Sequence, residues 1–402
     1  MKRLESVDVL RGGVMVVMAL DHVRDFFGTA GNPTDPATTT AALFFTRGVT
    51  HICAPTFFLL MGAGAFLAGR TKPSGELSRY LLLRGVWLIA LEIVVVRCLG
   101  LQFNVDYRTT MVNVLWALGW SMIALASLVH LPAVAVGIIG VVTIVGHNLF
   151  DGVRASTFGM FAPLWTALHG QGVIVSSPRF LVFAAYPLIP WVGVAAAGYA
   201  LAGVFSWPAP RRVAALWRIG LGCAAAFVVL RALNVYGDPV PWAGQLSATR
   251  TALSFLNTTK YPPSLLFLLM TLGPALCVLA ALDGRTPAAL RPLLTFGRVP
   301  LFYYLGHLTV IHLLAVVVCY LHYGDAHWMF ESPRLDQFPF TRPPGWGFSL
   351  PTVYLIWAGV VAAMYPLCAR VARQPAPHQP QRVSEFTAAS RSAGLPPPLA
   401  PG

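Results

Sequence analysis

Charged side chains make up only 11% of the 402 residues, against 56% hydrophobic ones. A soluble domain carries about 25% charged residues, so a water-exposed globule is excluded, and a mean hydropathy of +0.66 points to the membrane. Acidic residues are the scarcest: 15, against 28 lysines and arginines, which leaves a net charge of +13. That excess does not form a nucleic-acid patch. Its members lie in loops between apolar runs, as in RTKPSGELSR, PAPRR and GRTPAALRPLL, and in the tail, so no nucleic-acid partner is expected.

Other absences narrow the chemistry. The six cysteines are solitary and none forms a CxxC pair, so they read as small buried hydrophobes rather than disulfides or ligands. There is no HExxH, no Walker loop, no GxGxxG before a helix and no GxSxG elbow. His307 and His312 are five apart, whereas helical metal ligands favour three or four, so no metal is expected. Short alternating strands of a closed barrel are missing. No repeated half of the kind found in many transporters is visible.

What the chain does contain is apolar runs long enough to cross a hydrocarbon core of about 30 Å as helices. Ten are predicted, at about 7–27, 48–69, 79–99, 110–130, 132–149, 180–204, 214–234, 263–282, 299–321 and 348–369. Basic residues such as Arg70, Lys72, Arg79, Arg211, Arg212, Arg370 and Arg373 then fall in short loops on one side, which makes both termini cytoplasmic. The predicted fold is an all-α integral membrane domain over 1–373. A disordered cytoplasmic tail, rich in Pro, Ala and Ser, covers 374–402. The MKR start imitates a secretory signal, but Asp21, His22, Arg24 and Asp25 occupy the cleavage region, so it reads as an uncleaved first helix. The segment 150–179, with Phe161 and Trp165 among glycines, reads as an interfacial lid.

An ionisable group within a spanning helix costs about 2.5–3.5 kcal/mol on insertion scales, so each needs a partner or a purpose. The first helix holds the most. Asp8 and Arg11 are three apart, and eleven positions carry Arg11 to His22 on nearly the same face, about 16 Å along the axis. A salt bridge at one interface and a water-facing histidine at the other is one reading; a functional polar axis is the other. The second helix enters through Arg47 and His51, with Pro55 loosening its start and Gly62 and Gly64 permitting close packing. The third holds Glu92, which Arg97 is placed to neutralise. Asn257, Lys260 and Tyr261 stand at the mouth of the eighth helix, and Tyr303, Tyr304, His307 and His312 lie in the ninth.

The segments RLESVDVLRGGVMVVMALDHVRDFF and FFTRGVTHICAPTFFLLMGAGAFL resemble the heparan-alpha-glucosaminide N-acetyltransferase catalytic-domain family, within the wider group of membrane acyltransferases with an Arg-x10-His first helix. LRGVWLIALEIVVVR, YPLIPWVGVAAAGYALA, KYPPSLLFLLMTLGPAL and TFGRVPLFYYLGHLTVIHLL extend the likeness over nearly the whole membrane region. The resemblance implies a donor, acetyl-CoA or another acyl-CoA, entering from the cytosol and held near Arg11 and Arg298. It implies transfer to a carbohydrate or other polar acceptor at the outer face, near Arg47, Asn257, Lys260 and Tyr261. In lysosomal relatives an Asn matches His22 and a histidine lies in the following outer loop. Here that loop has no histidine before His51, so the general base falls to His22 or His51. Asp25, or less directly Asp21, is expected to orient the imidazole. The expected setting is the lipid bilayer of a bacterial cytoplasmic (inner) membrane; a homodimer is left open. A transporter or exporter of a small polar or glycan-related solute is the alternative.

Overall fold

Proline and the polar caps set where the helices begin. The computed structural model describes residues 4–29, 31–35 and 38–374; of the predicted disordered tail, all but Gln374 lies outside them. In chain order the helices are α1 (Glu5–Phe27), α2 (Ala41–Thr50), α3 (Cys53–Gly69), α4 (Ser74–Leu91), α5 (Val114–Leu128), α6 (Ala133–Gly146), α7 (Ala162–Leu168), α8 (Leu188–Leu201), α9 (Ala209–Leu233), α10 (Ala248–Leu256), α11 (Leu265–Leu282), α12 (Arg291–Arg298), α13 (Pro300–Tyr323) and α14 (Leu350–Arg373). Pro132, Pro187 and Pro208 immediately precede α6, α8 and α9, where a missing N–H breaks no bond. Thr40, Ser247 and Ser264 cap α2, α10 and α11 by accepting from amides three residues on.

Helices occupy all ten predicted positions, and seven segments are long and apolar enough to cross a membrane: Ala41–Gly69, Ala133–Phe150, Leu188–Ser206, Ala209–Leu233, Leu265–Leu282, Pro300–Tyr323 and Leu350–Arg373. The others fall short for physical reasons. The first, α1, carries charges at both ends; α4 with its π-helical continuation Glu92–Leu101 carries Arg84, Glu92 and Arg97; and α5 spans 15 residues. A bridge between Gly28 and Phe348 brings the end of α1 to the start of α14. The two described chain ends therefore lie at the same end of the bundle.

Although it is the most charged, α1 sits at the centre, packed on α3, α11, α12, α13 and α14. Its approach to α12 is a backbone contact. A Cβ on Gly12 would stand 1.9 Å from the Leu293 carbonyl oxygen, and one on Gly297 the same distance from that of Asp8. Gly62 plays the equivalent part against α8, whereas Gly64 meets nothing within 4 Å and faces a cavity instead.

The polar layer gathers at the end where α1 finishes. The strands β1 (Thr109–Val112), β2 (Gly172–Ser176) and β3 (Leu181–Ala184) form a sheet of order β1-β3-β2, parallel between β1 and β3 and antiparallel between β3 and β2. Segment 150–179 contributes short helical turns, α7 and β2 to this layer, with no long helix. Buried Arg231 donates to the carbonyls of Ser254, Phe255 and Asn257, so a cation closes the C-terminal end of α10.

Arg97 does not neutralise Glu92. Its guanidinium goes to Asn104 Oδ1 at 2.6 Å, Asp106 at 3.2 Å and Ser332 at 3.1 Å, and lies over the Tyr107 ring. Glu92 instead accepts from the Leu115 amide at 3.0 Å, at the N-terminus of α5, where unpaired amides favour a carboxylate. A ten-residue π turn aims Glu92 at the next helix and Arg97 at the loops.

Candidate active site

Two cavities follow one another along α1, and a third continues from the second past the end of that helix. The first, of about 330 Å³, is walled by Met15, Met18, Phe57, Leu60, Leu88 and Leu118 and flanked by Arg11 and Arg84. Arg11 Nη1 is 3.2 Å from both Asp8 Oδ1 and the Gly297 carbonyl, a contact that the glycine-mediated approach of α12 makes reachable. Arg84 donates to Tyr80 Oη at 3.2 Å. Arg298, expected at the donor end, is exposed at the end of α12 and does not line the cavity, whereas Arg84 does.

Val114 and Tyr304 belong to the walls of this cavity and of the next, which measures about 120 Å³. Asp21, His22, Asp25, Arg47, Tyr186, Lys260 and Tyr261 line this second chamber. Arg47, Lys260 and Tyr261 also line the third, of about 310 Å³, together with His51, Gln171 and Asn257. Asn257 Nδ2 donates to the Thr34 carbonyl at 3.0 Å, joining α10 to the loop after α1. The structure thus gathers Arg47, Asn257, Lys260 and Tyr261 at one end. It places His22 in the middle chamber and His51 in the outer one, its ring against Phe267.

The hydrogen bonds of His22 differ from those expected. Asp21 pairs with Arg47 and, at 2.9 Å, with Arg24; Asp25 pairs with Arg24 at 2.6 Å. The imidazole goes to His307 instead: His22 Nδ1 is 2.9 Å from His307 Nε2, with the rings stacked at 5.0 Å and 5°. His307 Nδ1 lies 2.6 Å from the Tyr303 carbonyl. A carbonyl only accepts, so Nδ1 of His307 carries hydrogen, its Nε2 in the neutral ring accepts, and His22 Nδ1 donates. His22 Nε2 is left with a lone pair, the arrangement a general base requires. The second histidine of the ninth helix is occupied elsewhere: His312 binds the Gly100 and Met329 carbonyls and stacks on Phe103.

Tyr261 and Tyr186 place their hydroxyls 3.5 Å apart in the chamber wall. Burial pushes the Tyr261 phenol up, but the charges of Lys260 and Arg47 outweigh it and hold it below its ordinary value. Two cations and an acidified phenol beside His22 form a surface that favours developing negative charge.

In the sequence Tyr304 and His307 are polar intrusions without an assigned role, and nothing there singles out Arg84, Tyr186 or Gln171. The available signal for His307 was a second histidine in a spanning helix with no local partner.

A family model described as heparan-alpha-glucosaminide N-acetyltransferase, catalytic, matches residues 3–236. The match takes in α1 to α9 and hence His22, Arg47 and His51; Lys260, Tyr261 and His307 lie beyond it. A search of curated proteins finds no match.

Proposed function

The chain belongs to the heparan-alpha-glucosaminide N-acetyltransferase catalytic family, and we propose that it acts as a membrane acyltransferase, moving an acetyl or other short acyl group from acyl-CoA to a carbohydrate or other polar acceptor. The donor enters at the Arg11 end and the acceptor at the opposite one. Ten crossings with both termini cytoplasmic, in a bacterial cytoplasmic membrane, complete this reading; the basic loops support it.

Arg11 and Arg84 offer cations for the donor phosphates. The apolar first cavity suits the pantetheine arm, and the Val114–Tyr304 junction suits the thioester. An acceptor that enters through the outer chamber and sets its amine or hydroxyl in the middle one is deprotonated by His22 Nε2 and attacks the thioester carbonyl carbon. Negative charge grows on the carbonyl oxygen beside Arg47, Lys260 and Tyr261, the C–S bond breaks, and the departing thiolate takes the proton from His22. His307 holds the required tautomer. His51 serves as an acceptor-binding group rather than the base. The observation that carries this reading is the 2.9 Å His22–His307 pair at the junction between an apolar and a cationic chamber.

The test is reconstitution in liposomes with acyl-labelled acetyl-CoA on the Arg11 side. Acceptor-dependent appearance of label and free CoA, abolished by His22→Ala, is the expected result. Turnover that survives His22→Ala removes His22 from the mechanism, and solute movement without CoA release makes the protein a transporter.

A further inference from the structure

Outside the three chambers, two segments bring metal-ligating side chains together. His147 opens the 3-10 turn after α6, Asp151 follows one turn later, and His169 ends α7. One ligand atom from each lies within 4.8 Å of the others. His147 Nδ1 is 3.4 Å from His169 Nε2, which is 3.8 Å from Asp151 Oδ1. A tetrahedral zinc ion bound at about 2.0–2.1 Å holds its donors about 3.3–3.4 Å apart; the His147–His169 pair at 3.4 Å and the His169–Asp151 pair at 3.8 Å stand near that spacing, and the third pair closes from at most 4.8 Å on binding.

The surroundings are those of a built site rather than a chance surface group. The two histidines expose 2% and 4% of their surface, and Trp165 stacks on His169 at 5.2 Å. Asp151 Oδ2 is held by Asn148 Nδ2 at 2.7 Å. Its Oδ1 is buried without a hydrogen-bond partner among the described residues. Such orphaned atoms are uncommon and call for an explanation, an ion among them. A cation between the rings uses Oδ1 and leaves His147 Nε2 for the outer hydrogen bond that ligating histidines carry.

We infer that His147, Asp151 and His169 form a binding site for a zinc-class divalent cation, with a fourth position left to water or a backbone oxygen. Binding replaces the proton that His169 Nε2 shares with the His147 carbonyl, 2.9 Å away. The ion ties the 150–179 segment to the end of α6, and through Asn148, whose Oδ1 accepts from the Leu265 amide at 2.9 Å, to the start of α11. Gln171, two residues beyond His169, lines the outer chamber. The site is therefore a clamp on the wall that faces the acceptor.

The full chain in detergent, stripped with chelator and desalted, is titrated with Zn2+ against a chromophoric competitor, with elemental analysis and thermal unfolding in parallel. About one zinc per chain and a zinc-dependent rise in the unfolding midpoint are expected. Asp151→Asn, close to wild type in its zinc-free midpoint, weakens zinc affinity about tenfold or more, and His169→Gln does the same. Absence of uptake by the wild type, or equal uptake by both variants, overturns the site and makes the three side chains a hydrogen-bonded knot. These readouts do not pass through acyl transfer, so either proposal can fail alone.

Discussion

His22 and His307, 285 positions apart in the chain, stand with Nδ1 and Nε2 at 2.9 Å and their rings parallel. The Tyr303 carbonyl fixes the outer end of the relay, so the free nitrogen of His22 is determined by a backbone atom two residues removed through space. His22→Ala is expected to lower kcat about 10²–10⁴-fold, the usual worth of a general base. His307→Ala lowers it less, and His307→Gln, whose amide oxygen can accept from Nδ1, recovers part of the loss. The double variant is no worse than His22→Ala alone. Acceptor-dependent CoA release measures all four, and equal rates for wild type and His307→Ala refute the relay.

The donor end yields a different kinetic signature. Arg11→Ala and Arg84→Ala raise KM for acetyl-CoA about tenfold, while kcat falls less, because binding cations act on ground state and transition state alike. Arg298→Ala, exposed and away from the cavity, leaves KM unchanged. If Arg11→Ala instead stops the protein accumulating, its bonds to Asp8 and Gly297 serve the α1–α12 contact and not the donor.

Most of the bundle was legible because apolar runs of the right length have few alternatives in a membrane. The Arg11–His22 stripe was legible because helical geometry alone puts positions eleven apart on one face. The partners were not. Asp21 and Asp25 are sequence neighbours of His22, yet arginines from α1 and α2 outcompete the imidazole for both carboxylates. The charges of α1 keep it out of the seven segments long and apolar enough to span, although it is central, since a charge matched by a partner fits the interior and composition along the chain cannot see the partner. The separation of His22 from His51 into successive chambers, and the meeting of His147 with His169, are likewise products of tertiary packing.

The Asp21–Arg47 pair is held with both side chains 14% exposed. Asp21→Asn leaves a largely buried guanidinium without its counter-ion, and a loss of about 3–5 kcal/mol is expected. Asp21→Asn combined with Arg47→Gln restores much of the unfolding midpoint without restoring turnover. Midpoints in detergent, with and without the second change, separate the structural contribution from the chemical one.

Acid should loosen the outer loops before the bundle. Burial pushes the Asp106 carboxyl up, but bonds from Ser332 and the Arg108 amide and the charge of Arg97 outweigh it and hold it below its ordinary value of 3.8. A depressed carboxylate contributes stability that is fully present above 3.8 and is lost as pH falls through the lower, folded value. The side chain is 36% exposed, so solvent screening keeps the contribution small. Asp106→Asn should flatten the acid limb of a plot of unfolding midpoint against pH below that value, with no change near neutrality. An unchanged acid limb places the responsible group elsewhere.

The wall that Val114 and Tyr304 share also bears on which acyl groups are accepted. Under the proposed transfer, the acyl chain reaches beyond that wall into a chamber of about 120 Å³ that the acceptor must enter from the far side. Each added methylene therefore competes with the acceptor for the same room. The enzyme need possess no pocket for the acyl tail to discriminate against long ones; steric exclusion at a crowded junction acts as its ruler, and an enlarged junction, as in Tyr304→Ala, should lengthen the accepted chain.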